Sequence, residues 1–116
     1  MGKKTTLPLH SRESFEFCAQ RLKALAEPER LRIVEVLFEG ERTVGDLCTV
    51  LGDEMVMVSH HLKVLRHAGL VNKRKEGRFV VYTLPPEVFA ATRVVDGKRR
   101  LDLGCCRLEM PSQPTK

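Results

Sequence analysis

A chain of 116 residues with 42% hydrophobic and 30% charged side chains has the length of one domain and the balance of a globular protein. It is too short for an active-site cleft between two large domains, and it has no apolar run of about eighteen residues to make a membrane-crossing helix. The net charge of +5 lies entirely between Ser59 and Arg78, where Lys63, Arg66, Lys73, Arg74, Lys75 and Arg78 stand against Glu76 alone. From Ser11 to Glu54 the balance reverses, with 10 acidic residues against 6 basic. Such asymmetry suits a polyanion-binding face.

Residues 1–10 have no periodicity and read as a flexible N-terminal arm. Met1-Gly2-Lys3-Lys4 starts charged, but no apolar stretch follows, so it does not read as a secretory signal. A cytoplasmic protein with reduced thiols and no membrane partner is therefore expected. From Ser11, the spacing of Phe15, Cys18, Leu22 and Leu25 predicts a helix with one apolar stripe. Pro28 restarts the pattern, because proline suits a first helical turn and disfavours helix in the residue before it. Leu31, Val34, Leu37 and Phe38 make the second stripe, closed at Gly40. Thr43 with Asp46 predicts a capping-box start for a short helix with Val44, Leu47, Cys48 and Leu51 inward.

Gly52-Asp53 is the next turn, and residues 54–68 form the fourth predicted helix. Met55, Val58, Leu62 and Leu65 share its inner face, and Val56, His60, Lys63 and His67 fall opposite. His61 lies beside the apolar face, as a packed and hydrogen-bonded histidine would. Ala68-Gly69-Leu70 stops the helix. The period then changes to two: Leu70–Lys75 and Arg78–Leu84 read as strands joined by Glu76-Gly77. Pro85-Pro86 ends the second strand. A short helix is expected from Glu87 to about Val95, with Gly97 closing it. In the tail, Leu101, Leu103 and Cys105 alternate, as do Cys106, Leu108 and Met110, which predicts an extended segment with a phase slip at the cysteines.

The expected fold is mainly α with a small β-hairpin, in the order α-α-α-α-β-β-α: a winged helix-turn-helix over residues 11–96, followed by a cysteine-containing tail over 97–116. A helix fits the major groove and presents its outer residues to base edges. Basic residues on a two-stranded wing (71–84) neutralise phosphates. Helix 54–68 and this wing together hold the basic segment, so a DNA-binding surface is the favoured reading.

Leu25-Ala26-Glu27-Pro28-Glu29-Arg30-Leu31-Arg32-Ile33 resembles the opening of the ArsR/SmtB family of metal-sensing repressors. Val58-Ser59-His60-His61-Leu62-Lys63-Val64-Leu65-Arg66-His67-Ala68-Gly69-Leu70-Val71 is similar to that family's recognition-helix signature, and Arg74-Lys75-Glu76-Gly77-Arg78 with Tyr82 to its wing. The resemblance implies a transcriptional repressor, not an enzyme: a homodimer on double-stranded DNA with an inverted-repeat operator, released by an inducer. Ser59 and His60 match positions that touch DNA in the family. Lys63, Arg66, Lys73, Arg74, Lys75 and Arg78 are the phosphate candidates. Met55-Val56-Met57 departs from the family, which carries polar residues there; Val56 faces outward and can pack on a thymine methyl.

The family's Cys-x-Cys site at the start of the third helix is replaced by Thr43-Val44-Gly45, and no histidine follows His67 to build its zinc-type site. What remains is sulfur. The vicinal pair Cys105-Cys106 suits a soft metal or metalloid such as cadmium or arsenite. Cys18 and Cys48 are further candidate ligands, although a cysteine on an apolar face is usually core. No cofactor is required for folding. Two alternatives stand: a thiol-redox-responsive or inducer-independent repressor of the same fold, and a winged-helix module for protein–protein contact.

Overall fold

The computed structural model describes residues 12–89, 99–104 and 106–110. They belong to two compact units, Arg21–Pro85 on the one hand and Met1–Gln20 with Pro86–Lys116 on the other. Helix α1 (Arg12–Leu25) begins in the second unit and ends in the first.

In the unit Arg21–Pro85, Glu27 is extended (φ −149°, ψ 137°) as a residue before proline must be, and Pro28 opens α2 (Pro28–Phe38) at a position that has no use for an N–H. Ile33, Val34 and Leu37 are the buried face of α2. A two-residue strand β1 (Arg42–Thr43) leads into α3 (Val44–Leu51). The capping box is complete: Asp46 N–H donates to Thr43 Oγ1 at 3.1 Å, and Thr43 N–H donates to Asp46 Oδ2 at 3.1 Å. Gly52, with φ 69°, ends α3 in the left-handed conformation and donates its N–H to Cys48 O at 2.8 Å. Helix α4 (Met55–His67) follows, then β2 (Asn72–Glu76) and β3 (Phe79–Thr83). The three strands form an antiparallel sheet in the order β1-β3-β2.

Leu47, Val58, Leu62, Leu65, Leu70 and Val71 are all fully buried. Complete burial of one such side chain contributes about 1.5–3 kcal/mol, against about 1 kcal/mol for a good cap. Packing therefore dominates in holding α4, whose N-cap Glu54 makes no side-chain cap bond.

The second unit contains residues 12–20 of α1, the single turn α5 (Pro86–Phe89), and the antiparallel strands β4 (Arg99–Asp102) and β5 (Arg107–Met110). Val88, Leu101 and Leu103 are its buried residues together with Cys18. The chain reverses at Gly104, whose φ is 99° and whose N–H is taken by Asp102 Oδ1 at 2.9 Å. Leu103 N–H donates to Cys106 O at 2.9 Å across the turn.

Five features differ from the sequence reading. The apolar stripe of α1 is split: Cys18 and Leu25 are buried, but Phe15 and Leu22 are 53% and 41% exposed. Met55 is exposed on the first turn of α4, beyond the reach of the core. The wing loop is Gly77-Arg78 rather than Glu76-Gly77, since Glu76 pairs with Phe79. Arg42 and Thr43 add a third strand to the wing by pairing with Tyr82 and Val81. The single extended tail is a hairpin, turned by Gly104 before the cysteines. The arm 1–10, the rest of the helix expected to Val95 and Cys105 lie outside the described residues.

Candidate nucleic-acid interface

Helix α4 turns Val58, His61, Leu62 and Leu65 inward. Its carboxyl end is closed twice. Leu70 N–H donates to Leu65 O at 2.9 Å with Gly69 left-handed (φ 76°), and Arg21 Nε donates to Ala68 O at 3.1 Å. The second contact places a cation where the helix dipole is negative. Helix α4 is fixed a third time at His61, 4% exposed, whose Nδ1 lies 3.3 Å from Arg30 Nη1. A guanidinium only donates, so in this contact Nδ1 is the acceptor. Arg30 Nε also donates to Ala24 O at 2.6 Å, which ties the α1–α2 corner to α4.

With the inner face so anchored, Val56, Ser59, His60, Lys63, Arg66 and His67 are exposed on the outside. Val56, His60, Lys63 and His67 are the four that helical geometry puts outward, and Ser59 and Arg66 are exposed beside them. His60 and His61 stand with ring centroids 5.6 Å apart, one in solvent and one in the core.

The wing's β2 is exposed along its whole length. Successive side chains on a strand point to opposite faces. Lys73 and Lys75 therefore share one face, and Arg74 takes the other. Arg74 Nη1 and Nη2 donate to Glu41 Oε2 and Oε1 at 2.9 and 2.8 Å, and Nη2 also reaches Glu76 Oε2 at 2.8 Å. These bonds hold the Glu41 carboxyl below its ordinary value and push the Arg74 guanidinium higher still. Among the described residues, Lys63, Arg66, Lys73, Lys75 and Arg78 form no ion pair. A groove of about 530 Å³ runs between the end of α4 and the wing, lined by Arg66, Val71, Asn72, Lys73, Arg74 and Thr83. It is open, polar and rimmed by cations, as a phosphate track must be.

Sulfur gathers in the other unit. Cys106, a free thiol beside the β4–β5 turn, has its Sγ 3.6 Å from Sγ of Cys18 on α1. Cys18 is buried and disulfide-bonded. Cys48 is a half-buried free thiol on α3, and no described sulfur contact involves it. Two thiolates on one tetrahedral ion with bonds of about 2.3 Å stand about 3.8 Å apart, so the Cys18–Cys106 spacing suits shared coordination once Cys18 is reduced. Among the described residues one other group could meet a metal, Glu27 with Glu29 and His61, their ligand atoms within 4.8 Å of one another. The guanidinium of Arg30 already occupies the His61 side of that group. It reads as a polar lock.

Arg21, Arg30 and Glu41 were not singled out by the sequence. Each acts on a residue 31 to 47 positions away, and nothing in local periodicity marks such a contact.

Residues 27–73 match the family described as bacterial regulatory protein, arsR family. The chain is 44% identical over 85 residues to the arsenical resistance operon repressor of Escherichia coli K12, which covers 72% of this chain and 73% of that one. The solved structure of HlyU from Vibrio cholerae N16961 superposes with a TM-score of 0.64 at 39% identity, over 70% of this chain and 89% of that chain. The homodimeric winged helix-turn-helix DNA-binding domain Mb0332 of Mycobacterium bovis gives a TM-score of 0.62 at 31% identity, over 72% and 75%.

Proposed function

Because the chain belongs to the arsR family of bacterial regulatory proteins, DNA-binding regulators of winged helix-turn-helix fold, we propose that it works as a cytoplasmic homodimeric repressor on an inverted-repeat operator. Helix α4 enters the major groove with Val56, Ser59 and His60 toward base edges. Lys63, Arg66, Lys73, Lys75 and Arg78 neutralise phosphates, and Arg74 joins them when its carboxylates let go. The observation that carries this reading is one surface of unpaired cations running from the outer face of α4 along the wing. In this reading 1–10 is an arm, 11–96 the DNA-binding domain and 97–116 the sensory tail.

The inducer is a soft metal or metalloid held by cysteine thiolates. Cys18 and Cys106 supply two sulfurs at coordinating distance, and Cys105 is the third candidate. A bound ion would supply a bridge between α1 and the β4–β5 turn. Arsenite and cadmium are the chemical class to test, and a relative named for arsenical resistance supports arsenite first. Cys48 is not among the proposed ligands.

Operator binding of the reduced protein, followed by fluorescence anisotropy across salt concentrations, tests both parts. Affinity is expected to fall steeply with salt, and arsenite or cadmium to relieve binding in the wild type but not in Cys106→Ser. Tight binding that ignores both ions would remove the inducer assignment and leave the DNA role. Absence of affinity for any duplex would instead favour a module for protein–protein contact.

The disulfide on Cys18 supports a second reading, a thiol-redox switch. Two thiols lose two electrons and two protons to an oxidant such as glutathione disulfide, which leaves as two molecules of glutathione. Intact mass before and after oxidation distinguishes a loss of two hydrogens from the added mass of a bound metalloid.

A further inference from the structure

Three consecutive residues at the start of the recognition helix are large, apolar and exposed: Met55 at 58%, Val56 at 73% and Met57 at 43%. Helix α4 has no acidic residue in its first turn. Polar side chains there would cost nothing in folding, since none of the three packs into the core. An apolar run left in water at the tip of a helix otherwise lined by Ser59, His60 and Lys63 calls for an apolar partner. In the major groove one such partner exists. Of the four bases only thymine presents a methyl group there, and it discriminates T·A from every other pair without a hydrogen bond.

We propose that Val56, flanked by Met55, reads thymine methyl groups in each operator half-site, so that part of the sequence specificity is apolar. The inference rests on α4 entering the major groove and adds what its first turn recognises. The occupant is DNA rather than a protein because the apolar tip is continuous with the cationic surface: Lys63 and Arg66 lie further along the same helix, and Lys73 and Lys75 on the wing. A polyanion seated on those charges brings base edges, not another protein's apolar face, against the tip. Valine suits the task, because its branched side chain loses little rotamer freedom when it is covered. Methionine on either side is flexible enough to follow the groove wall.

The test replaces thymine by deoxyuridine, which removes the methyl and keeps every hydrogen-bonding group. A duplex selected from random sequence by the reduced full-length protein serves as the operator, and each thymine is replaced in turn. Covering one methyl corresponds to about a fourfold change in affinity. At one or two thymines per half-site the wild type is expected to bind the uracil duplex about fourfold more weakly. Val56→Ser, at a site too exposed to disturb folding, is expected to bind the thymine and uracil duplexes equally. Equal binding of the two duplexes by the wild type, with tight and selective DNA binding retained, overturns the methyl inference and leaves the DNA-binding reading intact. A uracil penalty that persists undiminished in Val56→Ser also overturns it. Failure to select any duplex overturns the DNA-binding reading itself, and the inference with it.

Discussion

Arg74 stands in the middle of a basic run, yet its guanidinium is already shared between Glu41 and Glu76. The Glu41 carboxyl is held below its ordinary 4.5, first by the hydrogen bonds from Arg74 and further by its charge. A carboxylate whose folded-state value is depressed favours the folded arrangement above its ordinary value, and that contribution disappears as pH falls through the lowered one. The Arg74–Glu41 contact therefore persists through the neutral range and opens only in acid below 4.5. Phosphates must compete with it at neutral pH. Glu41→Gln removes one of the two competing charges and is expected to tighten operator binding. It should also steepen the slope of log K against log salt by about 0.9 for each protomer, the value of one more phosphate neutralised. Anisotropy titrations at four or five salt concentrations measure that slope. An unchanged slope would show that Arg74 does not reach DNA once Glu41 no longer holds it.

At the scale of elements, two glycines end two helices in the same conformation and should not cost the same when replaced. Gly52 has φ 69° with nothing within 4 Å of an added Cβ, so Gly52→Ala meets only the left-handed backbone penalty of about 1–2 kcal/mol. At Gly69, φ 76°, an added Cβ would stand 3.0 Å from Arg21 Nη2. The arginine can swing aside, but then Ala68 O loses its bond. Gly69→Ala is thus expected to cost about 0.5–1.5 kcal/mol more than Gly52→Ala, the worth of that hydrogen bond. In an Arg21→Gln background the difference should vanish, and urea unfolding midpoints of the four variants report it. The same contrast shows what could be read in advance. Both glycine stops, the Thr43–Asp46 box and the inner face of α4 from Val58 to Leu65 are local patterns, repeated every three or four residues or fixed by one backbone angle. Arg21 at Ala68, Arg30 at His61 and Glu41 at Arg74 are contacts across 31 to 47 positions, made only after the helices have packed. The wing slipped by one residue for a related reason. Gly77 supplies a positive φ of 62° in either register, and the pairing of Glu76 with Phe79 decides between them.

At the scale of the whole molecule, besides the apolar tip of α4, a second exposed apolar surface lies far from the cations along the chain. The cations lie on α4 and the wing, while Phe15 and Leu22 expose an apolar face on α1, with Phe17 exposed on its opposite side. Apolar side chains of this size on one helix face favour a second copy, which would double the cationic surface presented to DNA. The five unpaired cations of one protomer correspond to a salt slope of about −4.5, and those of two protomers acting together to about −9. Phe15→Asp places a charge on that face at a half-exposed side chain and is expected to shift the sedimentation coefficient from dimer to monomer. If the dimer is the DNA-binding form, the same variant should show about half the wild-type salt slope and a large loss of affinity for the two-half-site operator. Its affinity for a single half-site should stay near that of one wild-type protomer, because α4 and the wing are unchanged. A monomeric variant that kept the full slope would place all the phosphate contacts on one protomer and make the inverted repeat unnecessary. A variant that remained dimeric would show that a face other than that of Phe15 and Leu22 joins the two copies.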